Sequence, residues 1–357
     1  MKVRVVAVDD SSLCRWALRE VLEADGDVEV VGEAEDGPTA LRMVRELRPN
    51  LVTMDLQMPG MDGLACIEEI MATSPVPILV VTSEPAGPGS SALFEAVRRG
   101  ALDVAEKPPG GDAAAAAALR VRVRQLAHVP VIRHLRRAAR TLATPRDAHV
   151  DTPPRPTRVG PRPLVVGIGA SAGGPAAVAS VLAGLPADFA ATVALVQHLA
   201  AGFTAPFARF LQSRTALRIR ALSAREVVPL QPGVVLLPAE GFHLQALPNG
   251  SFSSVEGPPV DGHRPAVTAL FRSLAEVYGA GACGVLLTGI GQDGAVGLKA
   301  LRDRGGVTLV QDRESSAVFG MPHAAVELGA ASRVLGLDEM PGALRELVGG
   351  RPHHGSG

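Results

Sequence analysis

Pro163-Leu164-Val165-Val166-Gly167-Ile168-Gly169-Ala170-Ser171-Ala172-Gly173-Gly174-Pro175-Ala176 decides how the rest of the chain is read. An apolar, β-prone run from Leu164 to Ile168 breaks into glycines around one serine, and Pro175 then opens an alanine-rich segment of helical character. The stretch predicts strand, tight turn, helix. Such a turn lifts the Ser171 hydroxyl above a sheet edge and leaves main-chain N–H groups at a helix N-terminus free to face a developing oxyanion. Gly169 to Gly173 also fits the G-x-S-x-G pattern of a nucleophile elbow. The same letters carry two other readings: a glycine-rich turn that binds nothing, and the G-x-G-x-x-A dinucleotide fingerprint of a nicotinamide-dependent dehydrogenase in Gly167, Gly169 and Ala172. The fingerprint needs an acidic residue about 20 positions on, at the end of the next strand. That strand, Thr192 to Val196, ends in Gln197-His198, and an imidazole there favours hydrolysis over hydride transfer.

A serine hydroxyl is a weak nucleophile at neutral pH and needs a base within hydrogen-bond reach, and the base needs a buried acid to fix its tautomer. Outward from Ser171, helix Ala176 to Leu185 leads to the Thr192 strand, and short strands are expected at Arg218 to Ala221, Val234 to Leu237 and His243 to Leu247. Helix Ala266 to Tyr278, strand Cys283 to Leu287, helix Ala295 to Asp303 and strand Val307 to Val310 follow. Together they predict a doubly wound, mostly parallel α/β domain over residues 163–350. Two strand ends carry chemistry. His198 follows the Thr192 strand, and Asp293 lies in the glycine-rich turn Leu287 to Gly294. Ser171, His198 and Asp293 each end a parallel strand of one sheet, so they are expected to converge as nucleophile, base and orienter. Their order along the chain differs from the Ser, Asp, His order of α/β-hydrolases, which disfavours that fold. His243, His263 and His323 are open to a structural or a substrate-facing role, and none has zinc-ligand spacing, so no cofactor is expected in this domain. His128, His134, His149, His353 and His354 read as solvated, and Glu226 and the Asp312-Arg313 pair as surface groups.

Residues 1–127 alternate short apolar runs with amphipathic ones, the rhythm of a parallel sheet covered on both faces. Asp9 and Asp10 close the first strand, Asp55 the third and Thr82-Ser83 the fourth, and Lys107-Pro108 follows the fifth. In a flavodoxin-like order 2-1-3-4-5 the first and third strands are neighbours at the switch point, where ligands bind. Three carboxylates meeting there repel one another unless a hard divalent cation lies between them, and such a site suits Mg²⁺. One carboxylate can then accept a phosphoryl group, its charge neutralised by the cation and the Lys107 ammonium. A last helix begins at Ala113, with Arg120, Arg122 and Arg124 expected to face solvent.

Between the two halves, residues 128–162 form a basic, Pro/Arg-rich linker: eleven arginines from Arg120 to Arg162 face only Asp147 and Asp151. Prolines and like charges keep such a segment extended. Residues 351–357 read as a flexible tail. A net charge of −1 and 3% aromatic residues argue against a nucleic-acid surface. Cys14, Cys66 and Cys283 form no framework, which suits a reducing compartment. No signal-like segment or membrane-length apolar run is found, so a cytoplasmic protein without membrane insertion is expected; a monomer is expected as well.

Two resemblances complete the reading. Val8-Asp9-Asp10-Ser11-Ser12, Met54 to Gly63, Val81-Thr82-Ser83 and Glu106-Lys107-Pro108 resemble a response-regulator receiver domain. The resemblance implies Asp55 as phosphoacceptor, Asp9 and Asp10 with Asp55 and the Gln57 carbonyl around Mg²⁺, and Thr82 and Lys107 as switch and phosphate partners. A sensor histidine kinase would be the phosphodonor. Val104 stands where this family often has an aromatic residue. Gly169 to Gly174, Val196-Gln197-His198, Gly202-Phe203-Thr204, Gly257 to Val260, His263-Arg264-Pro265, Leu287 to Gly294 and Gly320-Met321-Pro322 resemble the catalytic domain of the CheB family of chemotaxis protein-glutamate methylesterases. That resemblance implies hydrolysis of glutamyl γ-methyl esters on methyl-accepting chemoreceptors, with deamidation of glutamine as a related activity. It also implies an oxyanion hole from the Ala172 and Ile290 N–H groups. The sequence departs from the family at Ala172, Ala200 and Ala201, and at Ala266 and Thr268, where a hydroxyl and a carboxylate are lost. A non-catalytic regulator with a hydrolase-like binding domain is the alternative those last two positions keep open.

Overall fold

The computed structural model describes residues 2–83, 90–129 and 164–349. Most of the expected linker and the whole of the expected tail lie outside them.

The first unit starts with β1 (Val3–Val8) and α1 (Ser12–Glu23), whose cap Ser11 accepts the Cys14 N–H. β2 (Val28–Ala34), α2 (Gly37–Leu47), β3 (Leu51–Met54) and α3 (Gly63–Thr73) follow. Asp36 and Asp62 cap the two helices by accepting the Thr39 and Ala65 N–H groups. β4 (Ile78–Thr82), α4 (Ser90–Arg99), β5 (Asp103–Glu106) and α5 (Ala113–Leu126) complete it. The strands run parallel in the order β2-β1-β3-β4-β5, as the sequence implies. β3 and β4 are buried along their whole length, which is why they read as unbroken apolar runs. One expectation is corrected. Arg120 and Arg124 fold back to pair with Asp25, Arg124 also with Asp27, and Arg122 pairs with Asp103 at 3.0 Å. Each finds a carboxylate beside α5, and its alkyl stem lies along the surface instead of extending into water.

In the second unit β6 (Val165–Ala170) runs into the serine turn and α6 (Gly174–Ala183) leaves it. Gly173 between them has φ 72°, a left-handed conformation glycine adopts without a Cβ clash. Next come β7 (Thr192–Gln197), α7 (Thr204–Gln212), β8 (Arg218–Ala221), β9 (Val227–Val228), β10 (Val234–Leu237), β11 (His243–Ala246) and β12 (Phe252–Val255). α8 (Val267–Val277), β13 (Ala282–Leu286), α9 (Ala295–Asp303) and β14 (Val307–Gln311) precede α10 (Met321–Glu327), β15 (Arg333–Leu335) and α11 (Met340–Gly349). Seven strands form one parallel sheet, β15-β14-β13-β6-β7-β10-β8, and β11-β12-β9 form a small antiparallel sheet beside it. β6 is flanked by β7 on one side and β13 on the other, so the winding reverses at β6 and opens a crevice at its carboxyl end.

The two units are packed together. Phe94 of α4 is buried with its ring 5.5 Å from Phe207 and 5.1 Å from Phe210 on α7, and Glu95 lies 3.7 Å from Arg214. Among the described residues no helix is long and apolar enough to cross a membrane.

Candidate active site

Ala170 and Gln197 are register partners on adjacent parallel strands, so Ser171 and His198, one residue further on each, emerge side by side. The His198 N–H donates to Ala170 O at 3.1 Å and the Ser171 N–H to Thr288 O at 3.0 Å, which ties β6 to both neighbours at this corner. Ser171, His198 and Asp293 are all buried. His198 Nε2 lies 2.8 Å from Asp293 Oδ2. The same carboxylate accepts the Val267 N–H at 2.7 Å and the Thr268 N–H at 2.8 Å. Asp293 thereby caps α8, whose own cap residue, Ala266, has no side chain for the task. Burial alone would raise the Asp293 pKa, but the His198 hydrogen bond and charge and the helix N–H groups carry it down to about 2. The acid is therefore ionised at neutral pH and accepts the Nε2 proton. His198 Nδ1 is then the free lone pair; it is buried, has no hydrogen-bond partner and does not bond the Ser171 hydroxyl in this structure.

Around the turn, the Gly173 N–H donates to Leu102 O at 2.8 Å and the Gly174 N–H to Ser171 O at 2.8 Å. The Ala172 and Ile290 N–H groups have no acceptor among the described residues. Leu102 belongs to the first unit, and its buried side chain clusters with Ala172, Val318, Ile290 and Ala317 of the second. The first unit thus rests on the serine turn through this hydrogen bond and this cluster.

Two histidines left open by the sequence have different fates. His243 is structural: its Nε2 lies 3.0 Å from Pro258 O, and its Nδ1 accepts the Ala266 N–H. His263 stacks on His198 with ring centroids 3.8 Å apart and 10° between planes. Burial, then the neighbouring His198, pushes its pKa down to about 4, so the stacked ring is neutral at physiological pH. No spacing rule announces this contact, because a loop brings it from 65 residues away. His323 lies on the exposed face of α10 near Glu327, and Glu226 pairs with Arg220. Ala266 and Thr268 lie buried beneath Asp293. The Thr268 hydroxyl accepts the Gly294 N–H at 2.8 Å and donates to Asp261 at 3.1 Å, so the residue that departs from the family supports the carboxylate's loop.

The other carboxyl edge belongs to the first sheet. Carboxylate oxygens of Asp9, Asp10 and Asp55 all lie within 4.8 Å of one another. Lys107 Nζ sits 2.6 Å from Asp9 and 2.7 Å from Asp55. Burial would lower the Lys107 pKa, but these two acids raise it. The Gln57 N–H donates to Asp55 at 3.2 Å, and Thr82 ends β4 buried. A 360 Å³ cavity lined by Asp9, Ser83, Glu106 and Lys107 opens beside them. Three carboxylates against one ammonium leave two negative charges on hard oxygen donors, which fits a divalent cation such as Mg²⁺.

A family model described as a response regulator receiver domain matches residues 5–118, and one described as CheB methylesterase matches residues 166–344. The chain belongs to the CheB methylesterase family. It is a hydrolase with a receiver domain attached. It is 51% identical over 97% of its length to a protein-glutamate methylesterase/protein-glutamine glutaminase 2 of Anaeromyxobacter dehalogenans, covering 97% of that relative. A protein-glutamate methylesterase/protein-glutamine glutaminase 1 of Pseudomonas fluorescens is 41% identical, with 97% of this chain and 99% of that one covered. Among solved structures, the Thermotoga maritima CheB methylesterase catalytic domain matches 53% of this chain and all of its own at 35% identity, with a TM-score of 0.49. The dehydrogenase reading finds no support at its deciding position: the Gln197 side chain at the end of β7 is turned inward onto Ser171 O.

Proposed function

We propose that the chain is a phosphorylation-gated protein-glutamate methylesterase acting on methylated chemoreceptor helices, with glutamine deamidation as a second reaction of the same site. The observation that carries this reading is the buried His198–Asp293 pair beside Ser171 on neighbouring strand ends. Ser171 attacks the γ-ester carbonyl while His198 Nδ1 takes its proton, and ionised Asp293 stabilises the imidazolium. The Ala172 and Ile290 N–H groups receive the oxyanion. His198 returns the proton to departing methanol, then activates the water that releases a glutamate carboxylate. A glutamine amide follows the same course but asks more of the protonated imidazole, since ammonia is a poorer leaving group.

Gating rests on the receiver. Asp55 is the phosphoacceptor, with a sensor histidine kinase as donor, and Asp9, Asp10, Asp55 and the Gln57 carbonyl would hold Mg²⁺. When bound, the cation neutralises charge on the phosphoryl group. Lys107, released from its bridge between Asp9 and Asp55, pairs with the phosphoryl oxygens, and Thr82 reports the change along β4. The receiver then lifts Leu102 from the serine turn, a shift between two domain arrangements. The non-catalytic alternative rests on Ala266 and Thr268, and both lie under Asp293 in supporting positions. Methanol release from methylated receptor membranes tests the proposal: the intact protein is expected to release it, faster with a small-molecule phosphodonor, and undiminished release by Ser171→Ala would refute the assigned nucleophile.

A further inference from the structure

Between nucleophile and base lies a side chain to which the reaction above gives no role. Gln197 is buried at the end of β7, and its Nε2 lies 2.7 Å from Ser171 O and 3.1 Å from His198 O. One amide group, with two protons to give, therefore holds the main-chain carbonyls of both residues. The orientation is fixed chemically, since a flipped amide would set its oxygen against two carbonyl oxygens. The other end explains a glycine. A Cβ on residue 174 would lie 2.1 Å from Gln197 Oε1, so Gly174 leaves the space the carboxamide fills.

We propose that Gln197 is a positioning residue for hydrolysis, fixing the separation of the Ser171 and His198 backbones through this bridge, with Gly174 as its seat. The inference rests on the esterase reading given above. A hydroxyl and an imidazole on two different strands meet productively only within a narrow range, and a displacement of about 1 Å can cost on the order of 10²-fold in rate. Nothing else among the described residues joins the two carbonyls.

The test uses the full-length protein, with turnover normalised to Ser171 sites titrated by a serine-reactive phosphonate, so that misfolded molecules are not counted. Gln197→Met keeps the volume and removes both donors; kcat per titrated site is expected to fall about 10- to 100-fold with KM for methylated receptor unchanged. Gly174→Ala, whose Cβ would meet the amide at 2.1 Å and also the Ala170 Cβ at 2.9 Å, should lower kcat as well. Gln197→Glu separates positioning from packing. An ionised carboxylate repels both carbonyls, whereas the protonated acid donates again, and burial raises the pH at which it protonates. The ratio of variant to unmodified kcat should therefore climb as pH falls from about 8 to about 6. Gln197→Met at full speed per titrated site, or a pH-independent ratio for Gln197→Glu, would overturn the role. An unmodified protein that neither labels at Ser171 nor releases methanol would instead overturn the esterase reading, and this inference with it.

Discussion

The molecule carries two polar sites at equivalent places, each at the carboxyl edge of a parallel sheet beside its switch point, and they are held in opposite conditions. At the receiver edge the charges are only partly offset: Lys107 bridges Asp9 and Asp55, Asp10 adds a third carboxylate, and a cavity opens next to them. At the catalytic edge Asp293 and His198 are paired, but Nδ1 is buried without a partner and Leu102 of the receiver covers the turn. A buried unpaired nitrogen costs roughly 1–3 kcal/mol. On the proposed reading, this arrangement leaves the first site ready for a ligand and the second lacking only the hydrogen bond between His198 Nδ1 and the Ser171 hydroxyl. Equivalent topology places a site; the residues ending the strands decide its chemistry, and the neighbouring unit decides its access.

The comparison breaks most severely if the catalytic edge is altered. Ser171→Ala or His198→Ala should reduce methanol release by about 10⁶-fold, and Asp293→Asn by about 10⁴-fold through loss of the correct tautomer. A smaller effect is expected where the two edges communicate. Phe94→Ala removes packing worth about 3–5 kcal/mol between α4 and α7. Basal activity should then rise at least tenfold, at about 1.4 kcal/mol per decade, and an unchanged basal rate would show that this contact does not hold the cover. At the receiver edge, Asp55→Asn should leave the basal rate as it is and abolish stimulation by a small-molecule phosphodonor; removal of Mg²⁺ by a chelator should do the same to the unmodified protein. The smallest effect concerns the stacked ring. His263 has a folded-state pKa near 4, below its ordinary 6.5, so the unfolded chain binds the extra proton between those values and stability declines as pH falls through that window. Melting temperatures of the intact protein and His263→Gln should converge with falling pH; parallel curves would mean the ring is not held neutral.

How much of this was legible beforehand differs between the two edges in the same way. Receiver residues sit at the ends of the β1, β3, β4 and β5 runs, where period and polarity mark them directly. Ser171 and His198 follow β6 and β7 directly and are marked in the same way, whereas Asp293 lies beyond the end of β13 in a glycine-rich loop, where turn residues rather than a strand end point to it. The connections were not legible: Leu102 on Gly173, His263 on His198 and Gln197 on Ser171 each join segments that only tertiary packing brings together. Gln197 came nearest to announcing itself, as a polar residue ending an otherwise apolar strand. Arg122 misled because alternation along α5 says which face is apolar and nothing of Asp103 waiting beside it. β9 and β15, of two and three residues, are too short for any period to register.

The central claim is that charge at one edge uncovers the nucleophile at the other. The most direct measurement is the rate at which a serine-reactive phosphonate modifies the full-length protein, with the adduct located by mass spectrometry, in Mg²⁺ with and without phosphodonor. The account predicts a single adduct on Ser171, formed faster with phosphodonor in the intact protein and at one unchanged rate in Asp55→Asn. An adduct elsewhere, or a rate on Ser171 indifferent to phosphodonor in the intact protein, would contradict it.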